Sequence, residues 1–147
     1  LWDLFAYATR HGNKNKPLPV VLDEMQNLDH RNNQALDKLL REGRKFGVGL
    51  ILATQTISNF DKEQKGRLFQ AGHKLFFKPA ETERQAFAQI LADTSQSRTK
   101  TEWIAELSKL NKGECWSIGP RRVIETGVIR REPVKLKVLE NGQRVLS

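Results

Sequence analysis

The sequence predicts an α/β fold built on a mainly parallel sheet flanked by helices, and three observations carry that expectation. Two runs, Leu18 to Leu22 and Val48 to Ala53, are apolar at nearly every position. Between them, residues 32 to 46 repeat apolar side chains at helical spacing, and beyond them short apolar runs keep alternating with helical stretches. A strand covered by helices on both faces needs apolar residues throughout, whereas a half-exposed strand alternates. Strand, helix and strand in this order form a right-handed crossover between parallel neighbours.

Each element follows from its residues. Leu1, Leu4, Phe5 and Ala8 recur at helical spacing and predict a first helix, ended by His11-Gly12. The loop Gly12 to Pro17 leads into the first strand, which stops at Asp23-Glu24. In residues 32 to 46, Leu36, Leu39, Leu40 and Phe46 share one stripe, with Asp37, Lys38, Arg41 and Lys45 on the solvated side and Arg44 at the stripe's border. Gly47 ends that helix, and the second strand stops at Thr54-Gln55. A short helix over 62–71, a strand from His73 to Lys78 and a helix from Glu81 to Ala92 come next. A Ser/Thr-rich loop then precedes a helix over 101–110 carrying Trp103, Ile104, Leu107 and Leu110, which Gly113 closes. Glu114 to Ile118 reads as a strand. Val123 to Ile129 and Val134 to Leu139 read as β-rich segments, with Asn141-Gly142 the turn of a terminal hairpin. Residues 1–120 are expected to form the core and 121–147 a β-rich tail.

Composition narrows the class. A chain of 147 residues, 38% hydrophobic and 29% charged, has the makings of a globular core. Its apolar runs fall far short of the roughly 20 residues a membrane helix needs, and its start does not resemble a signal peptide. Cys115 is the only cysteine, which excludes an intrachain disulfide and points to a reducing, cytoplasmic setting. Lys and Arg outnumber Asp and Glu by 25 to 17, a balance that suits either a nucleic-acid partner or a solubilising surface.

In open parallel sheets ligands bind at the carboxyl ends of the strands. Asp23 and Glu24 follow the first strand and Thr54 and Gln55 the second, so neighbouring strands would bring all four into one cleft. The chemistry that fits is phosphoryl transfer with Mg²⁺. Asp23 would handle the metal through its water shell, Glu24 would polarise the attacking water, and Gln55 would position that water or sense the terminal phosphate. Acidic residues also cap helices and end strands, and the residues alone leave that reading open.

The stretch Pro19-Val-Val-Leu-Asp-Glu-Met-Gln-Asn-Leu28, followed by Leu40-Arg-Glu-Gly-Arg-Lys-Phe-Gly-Val-Gly-Leu-Ile-Leu-Ala-Thr-Gln55, resembles the second half of the motor domain of HerA/FtsK-like P-loop ATPases. HerA-like helicases and VirB4- and TraD-type conjugation ATPases belong to that group. The resemblance implies a partial RecA-like P-loop NTPase core. It makes Asp23 the metal-linked Walker B position and Glu24 the catalytic glutamate. Arg44 becomes the arginine inserted into a neighbour's ATP site, and Gln55 the sensor glutamine, with Thr54 beside the nucleotide. Weaker similarity runs from Leu107 to Gly119. The implied cofactors are ATP and Mg²⁺. The implied partners are DNA, further copies in a homohexameric ring and a nuclease or restriction partner, in DNA processing, restriction or phage defence. The phosphate-cradling Gly-x-x-x-x-Gly-Lys-Ser/Thr loop occurs nowhere in the chain. The expectation is therefore a carboxyl-terminal fragment that is inactive alone. Two alternatives are a nucleotide-free assembly or DNA-docking module and a conjugation or secretion ATPase.

The remaining chemistry-bearing residues predict less. His11, His30 and His73 are scattered without a ligand pattern, Cys115 beside Trp116 reads as a buried small side chain, and Trp103 reads as core. Arg121-Arg122 and Arg130-Arg131, with Lys135 and Lys137, form the densest basic region of the second half, suited to phosphate backbones or to guarding β segments. Arg31 to Asn33 and the loop from Ile57 to Gln64 flank the expected cleft mouth.

Overall fold

Two adjacent parallel strands, β1 (Leu18–Leu22) and β2 (Val48–Leu52), centre the first part of the computed structural model, which describes residues 1–29, 31, 34–95 and 97–138. The register runs from Leu18 opposite Val48 to Leu22 opposite Leu52. Helix α2 (Ala35–Glu42) and a 3₁₀ turn (Gly43–Phe46) make the crossover between them. The expected single helix over 32–46 is thus shorter and tightens before its end, and Asn32 and Asn33 lie outside the described residues. Helix α1 (Trp2–His11) packs its Leu4, Phe5 and Ala8 with Leu39, Phe46, Val48, Val20 and Leu50 into one apolar cluster.

Both strands alternate in burial, which corrects the expectation of strands covered on both faces. Val21 is 65% and Ile51 59% exposed, because α1 and the crossover cover one face of this two-stranded sheet and leave the other open.

The crossover departs from its helical wheel at a second point. Asp37, expected on the solvated side, is only 3% exposed. Its carboxylate accepts from Arg41 Nε at 3.0 Å and Nη2 at 2.9 Å, and from Arg67 Nη1. Arg67 arrives on α3 (Lys62–Leu68), which starts from a capping box between Asp61 and Gln64. Two guanidiniums compensate the burial of one carboxylate, and Asp37 raises the Arg41 guanidinium above its ordinary value.

Gly47 ends the crossover at φ 75, as its sequence position predicts, and a Cβ there would lie 2.5 Å from the Asn13 carbonyl oxygen. Gly47→Ala therefore combines left-handed strain with a backbone clash, and should cost about 1–3 kcal/mol in a urea melt. Gly49→Ala is the matched control, since nothing lies within 4 Å of its Cβ position.

The chain divides into two compact units, Leu1–Gln70 and Ala71–Ser147. The second unit has its own sheet. Strand β3 (Lys74–Phe77) pairs antiparallel with β4 (Glu114–Ile118), and β4 pairs antiparallel with β7 (Val134–Lys137), which ties the tail to the core. One crossover helix returns the chain to its starting end and makes the next strand parallel. Here two helices, α4 (Glu81–Ser95) and α5 (Lys100–Ser108), run out and back between β3 and β4, so the strand direction reverses. Among the described residues, parallel pairing is confined to β1 and β2.

Phe76, Ala88, Leu91, Trp103, Leu107, Leu110, Trp116 and Ile118 form the second unit's core, which includes the apolar face expected for α5. Trp103 meets Trp116 edge to face at 5.1 Å, and the Arg98 guanidinium lies over both rings. Cys115 is buried, and burial pushes its thiol up from the ordinary value. His73 is exposed, its Nε2 2.9 Å from the Pro120 carbonyl oxygen. The β-rich stretch expected over Val123 to Ile129 is the end of a small hairpin in which β5 (Arg121–Arg122) pairs with β6 (Ile129–Arg130) and Val123 N–H donates to the Val128 carbonyl at 2.9 Å. His30, Leu139 and the Asn141-Gly142 turn lie outside the described residues. Among the described residues, no helix is long and apolar enough to cross a membrane.

Candidate functional site at the carboxyl ends of the parallel strands

The β1–β2 ladder continues past the strands, and that continuation builds the site. Ala53 N–H donates to the Leu22 carbonyl at 2.9 Å, and Met25 N–H donates to the Ala53 carbonyl at 3.0 Å. Met25, fully buried, anchors a 3₁₀ turn over Met25–Asn27, closed by Asn27 N–H on the Glu24 carbonyl at 2.9 Å. Asp23 and Glu24 are thus held between a strand end and a pinned turn. Asp23 is exposed, and its Oδ1 accepts from Glu24 N–H at 2.8 Å.

Glu24 has φ 50 and ψ 39, and among the described residues no other non-glycine has positive φ. The left-handed conformation costs a residue with a Cβ about 1–2 kcal/mol. Such strain collects where surrounding contacts fix a side chain for a purpose.

The Glu24 carboxylate is held from two sides. Oε1 accepts from Gln55 Nε2, which reaches across from the end of β2, and Oε2 accepts from Gln26 Nε2 on the turn. The Gln26 amide oxygen lies 2.7 Å from Thr54 Oγ1, which is also 2.7 Å from the Thr56 carbonyl oxygen. Four side chains, Glu24, Gln26, Thr54 and Gln55, therefore form one hydrogen-bonded group spanning two strand tips. A carboxylate is acceptor-only, so it takes an amide on each oxygen and keeps lone pairs for a water.

Of the expected site residues, the structure brings Glu24, Thr54 and Gln55 into this group and places Asp23 beside it. It does not bring Arg44 there. Arg44 is exposed on the 3₁₀ turn that precedes β2, rather than at the edge of a helical stripe. That turn is at the sheet's amino-terminal end, where Leu18 N–H donates to the Gly47 carbonyl at 2.8 Å. Five strand residues separate the two ends, roughly 16 Å at the usual strand rise. Gln26 is the member that sequence reasoning missed. The available signal was an amide side chain two residues after an acidic pair, which gains a role only once Glu24 turns left-handed.

Among the described residues, no group of three or more His, Cys, Asp or Glu could hold a metal ion. The donor set is instead one exposed hard carboxylate, Asp23, beside amides and a hydroxyl. That suits a Mg²⁺ ion that keeps much of its water shell and takes further ligands from phosphate oxygens.

A family model described as the type IV secretion-system coupling protein DNA-binding domain matches residues 5–136. A probable helicase of Methanocaldococcus jannaschii is 31% identical over 110 residues, covering 71% of this chain and 20% of that protein. The DNA double-strand break repair helicase HerA of Sulfurisphaera tokodaii is 31% identical over 108 residues, covering 70% of this chain and 20% of that protein. The chain spans about a fifth of the length of these curated relatives. Two solved structures of the genome packaging NTPase B204 from Sulfolobus turreted icosahedral virus 2, with ATP-gammaS and with AMPPCP, are similar in shape. They are 16% and 17% identical with a TM-score of 0.47 each, covering 79% and 83% of this chain and 52% and 53% of theirs.

Proposed function

The chain belongs to the family of the type IV secretion-system coupling protein DNA-binding domain, within the HerA/FtsK-like P-loop ATPases, and on that premise we propose that it is the Walker B, arginine-finger and sensor half of an ATP-driven DNA motor. The observation that carries the reading is the Glu24–Gln55 hydrogen bond across the tips of two adjacent parallel strands.

Glu24 is the base. Its carboxylate accepts a proton from the water that attacks the γ-phosphate, while the Gln26 and Gln55 amides hold it in place. A primary amide carries two N–H donors, so Gln55 bonds Glu24 with one and offers the other to the water or a γ-phosphate oxygen. Asp23 would hold Mg²⁺ through its water shell, and the ion would supply neutralising charge to the phosphates. Thr54 holds Gln26 and would lie beside the nucleotide. The phosphate-cradling loop comes from outside these 147 residues, in the full-length protein. Arg44, at the far end of its own sheet, serves a neighbouring subunit's site in a homohexameric ring, which acts on DNA in the cytoplasm. The family model's description favours a second reading of the pathway, with the same chemistry serving DNA transfer through a secretion system rather than repair or defence with a nuclease partner.

Phosphate release by the full-length protein tests this reading. Turnover should require Mg²⁺ and rise when duplex DNA is added, with the stimulation fading steeply as salt increases. A full-length protein that shows no turnover with or without DNA would sink the motor. Within it, Gln26→Leu should lower kcat about 10- to 100-fold with little change in KM, since the carboxylate loses one of two supports.

A further inference from the structure

We propose that the β5–β6 hairpin is a docking surface for the phosphate backbone of DNA. The proposal rests on the motor reading for its partner and adds where on this chain that partner is gripped. Between residues 121 and 131 the chain carries four arginines and a single acidic residue, Glu125. Arg121 lies directly opposite Arg130 in the ladder, and Arg122 opposite Ile129. Side chains directly opposite in an antiparallel pair have Cβ atoms about 5 Å apart, and like charges there repel. Glu132 approaches Arg121 only at 4.0 Å, so the hairpin carries a positive excess.

A polyanion supplies the charge this arrangement lacks. The cations from 121 to 131 are all arginine, whose planar fork takes two phosphate oxygens at once, where lysine offers a point charge. A two-stranded ribbon also has the width that a DNA groove admits. Beyond the paired arginines, Ile124 is 93% exposed, and Val128 and Ile129 are exposed with it. Apolar side chains flanked by phosphate-binding arginines can press on sugars and base edges.

The test measures fluorescence anisotropy of a labelled duplex with the 147-residue chain over a salt series. Arg121, Arg122, Arg130 and Arg131 are replaced together by Ala or together by Lys, and circular dichroism melts check the fold. The Ala variant should bind about 10- to 100-fold more weakly near physiological salt, and its salt dependence should flatten by about two to four phosphate contacts. The Lys variant should keep most of the slope, which separates charge from folding. Unchanged affinity and slope in the Ala variant would overturn the proposal, and so would a wild-type chain that binds no duplex at low salt. Capture by phosphatidylserine vesicles in preference to duplex would assign the hairpin to a membrane surface and likewise overturn it. Basal ATP turnover of the full-length protein should be unaffected by the four substitutions, so its loss after changes at Glu24 reports on the motor alone.

Discussion

Glu24→Gln in the full-length protein should reduce ATP turnover by at least about 10²- to 10⁴-fold, the share a positioned general base contributes, while nucleotide still binds. The substitution removes the carboxylate proposed as proton acceptor and keeps the shape of the side chain. It also keeps the hydrogen-bonded group. Gln55 can turn its amide to present its oxygen, and Gln26 can do the same because the Thr54 hydroxyl has the Thr56 carbonyl oxygen as a second acceptor. Thermal stability should therefore change little, and the left-handed backbone at residue 24 is as costly for Gln as for Glu. Single-turnover phosphate release read beside nucleotide affinity separates the steps. Turnover within a few-fold of wild type would show that another group takes the proton. Lost affinity would give Glu24 a role in binding.

The order of the fold was legible because apolar runs and helical stripes report local covering. The runs Leu18 to Leu22 and Val48 to Ala53 read as neighbours joined by a crossover, and the acidic pair and Thr54-Gln55 fell at one end of that sheet. Tertiary facts were less visible. A continuous apolar run does not say whether both faces are covered, and Val21 and Ile51 are open. The helical wheel put Asp37 in solvent because it counts only residues on its own helix, whereas Arg67 comes from 30 positions away. Two successive helices reverse strand direction, which the alternation pattern alone does not signal, and so β3 and β4 are antiparallel. Gln26 stayed hidden for a backbone reason. Its amide reaches Glu24 only because Met25 is buried and Glu24 leaves the β region.

Arg44→Ala should cost about 10³- to 10⁵-fold in turnover, the range for an arginine supplied from a neighbour, with nucleotide affinity unchanged. Arg44 sits before β2 and the Glu24–Gln55 group after it, so a strand's length separates them, well beyond the reach of one side chain. On the proposed reading, a contact of Arg44 with γ-phosphate would cross a subunit boundary, and a head-to-tail ring would give every site one such neighbour. This makes the prediction sharper than a loss of activity. Arg44→Ala subunits keep Glu24, and Glu24→Gln subunits keep Arg44, so each preparation alone should be inactive. Mixed at equal ratio, about a quarter of the interfaces would join an intact Glu24 to an intact Arg44, and turnover should reappear. Recovery that tracks the mixing ratio assigns Arg44 to the neighbour's site. If the two variants co-assemble and turnover stays at the level of either alone, Arg44 acts within its own subunit or does not act in the chemistry.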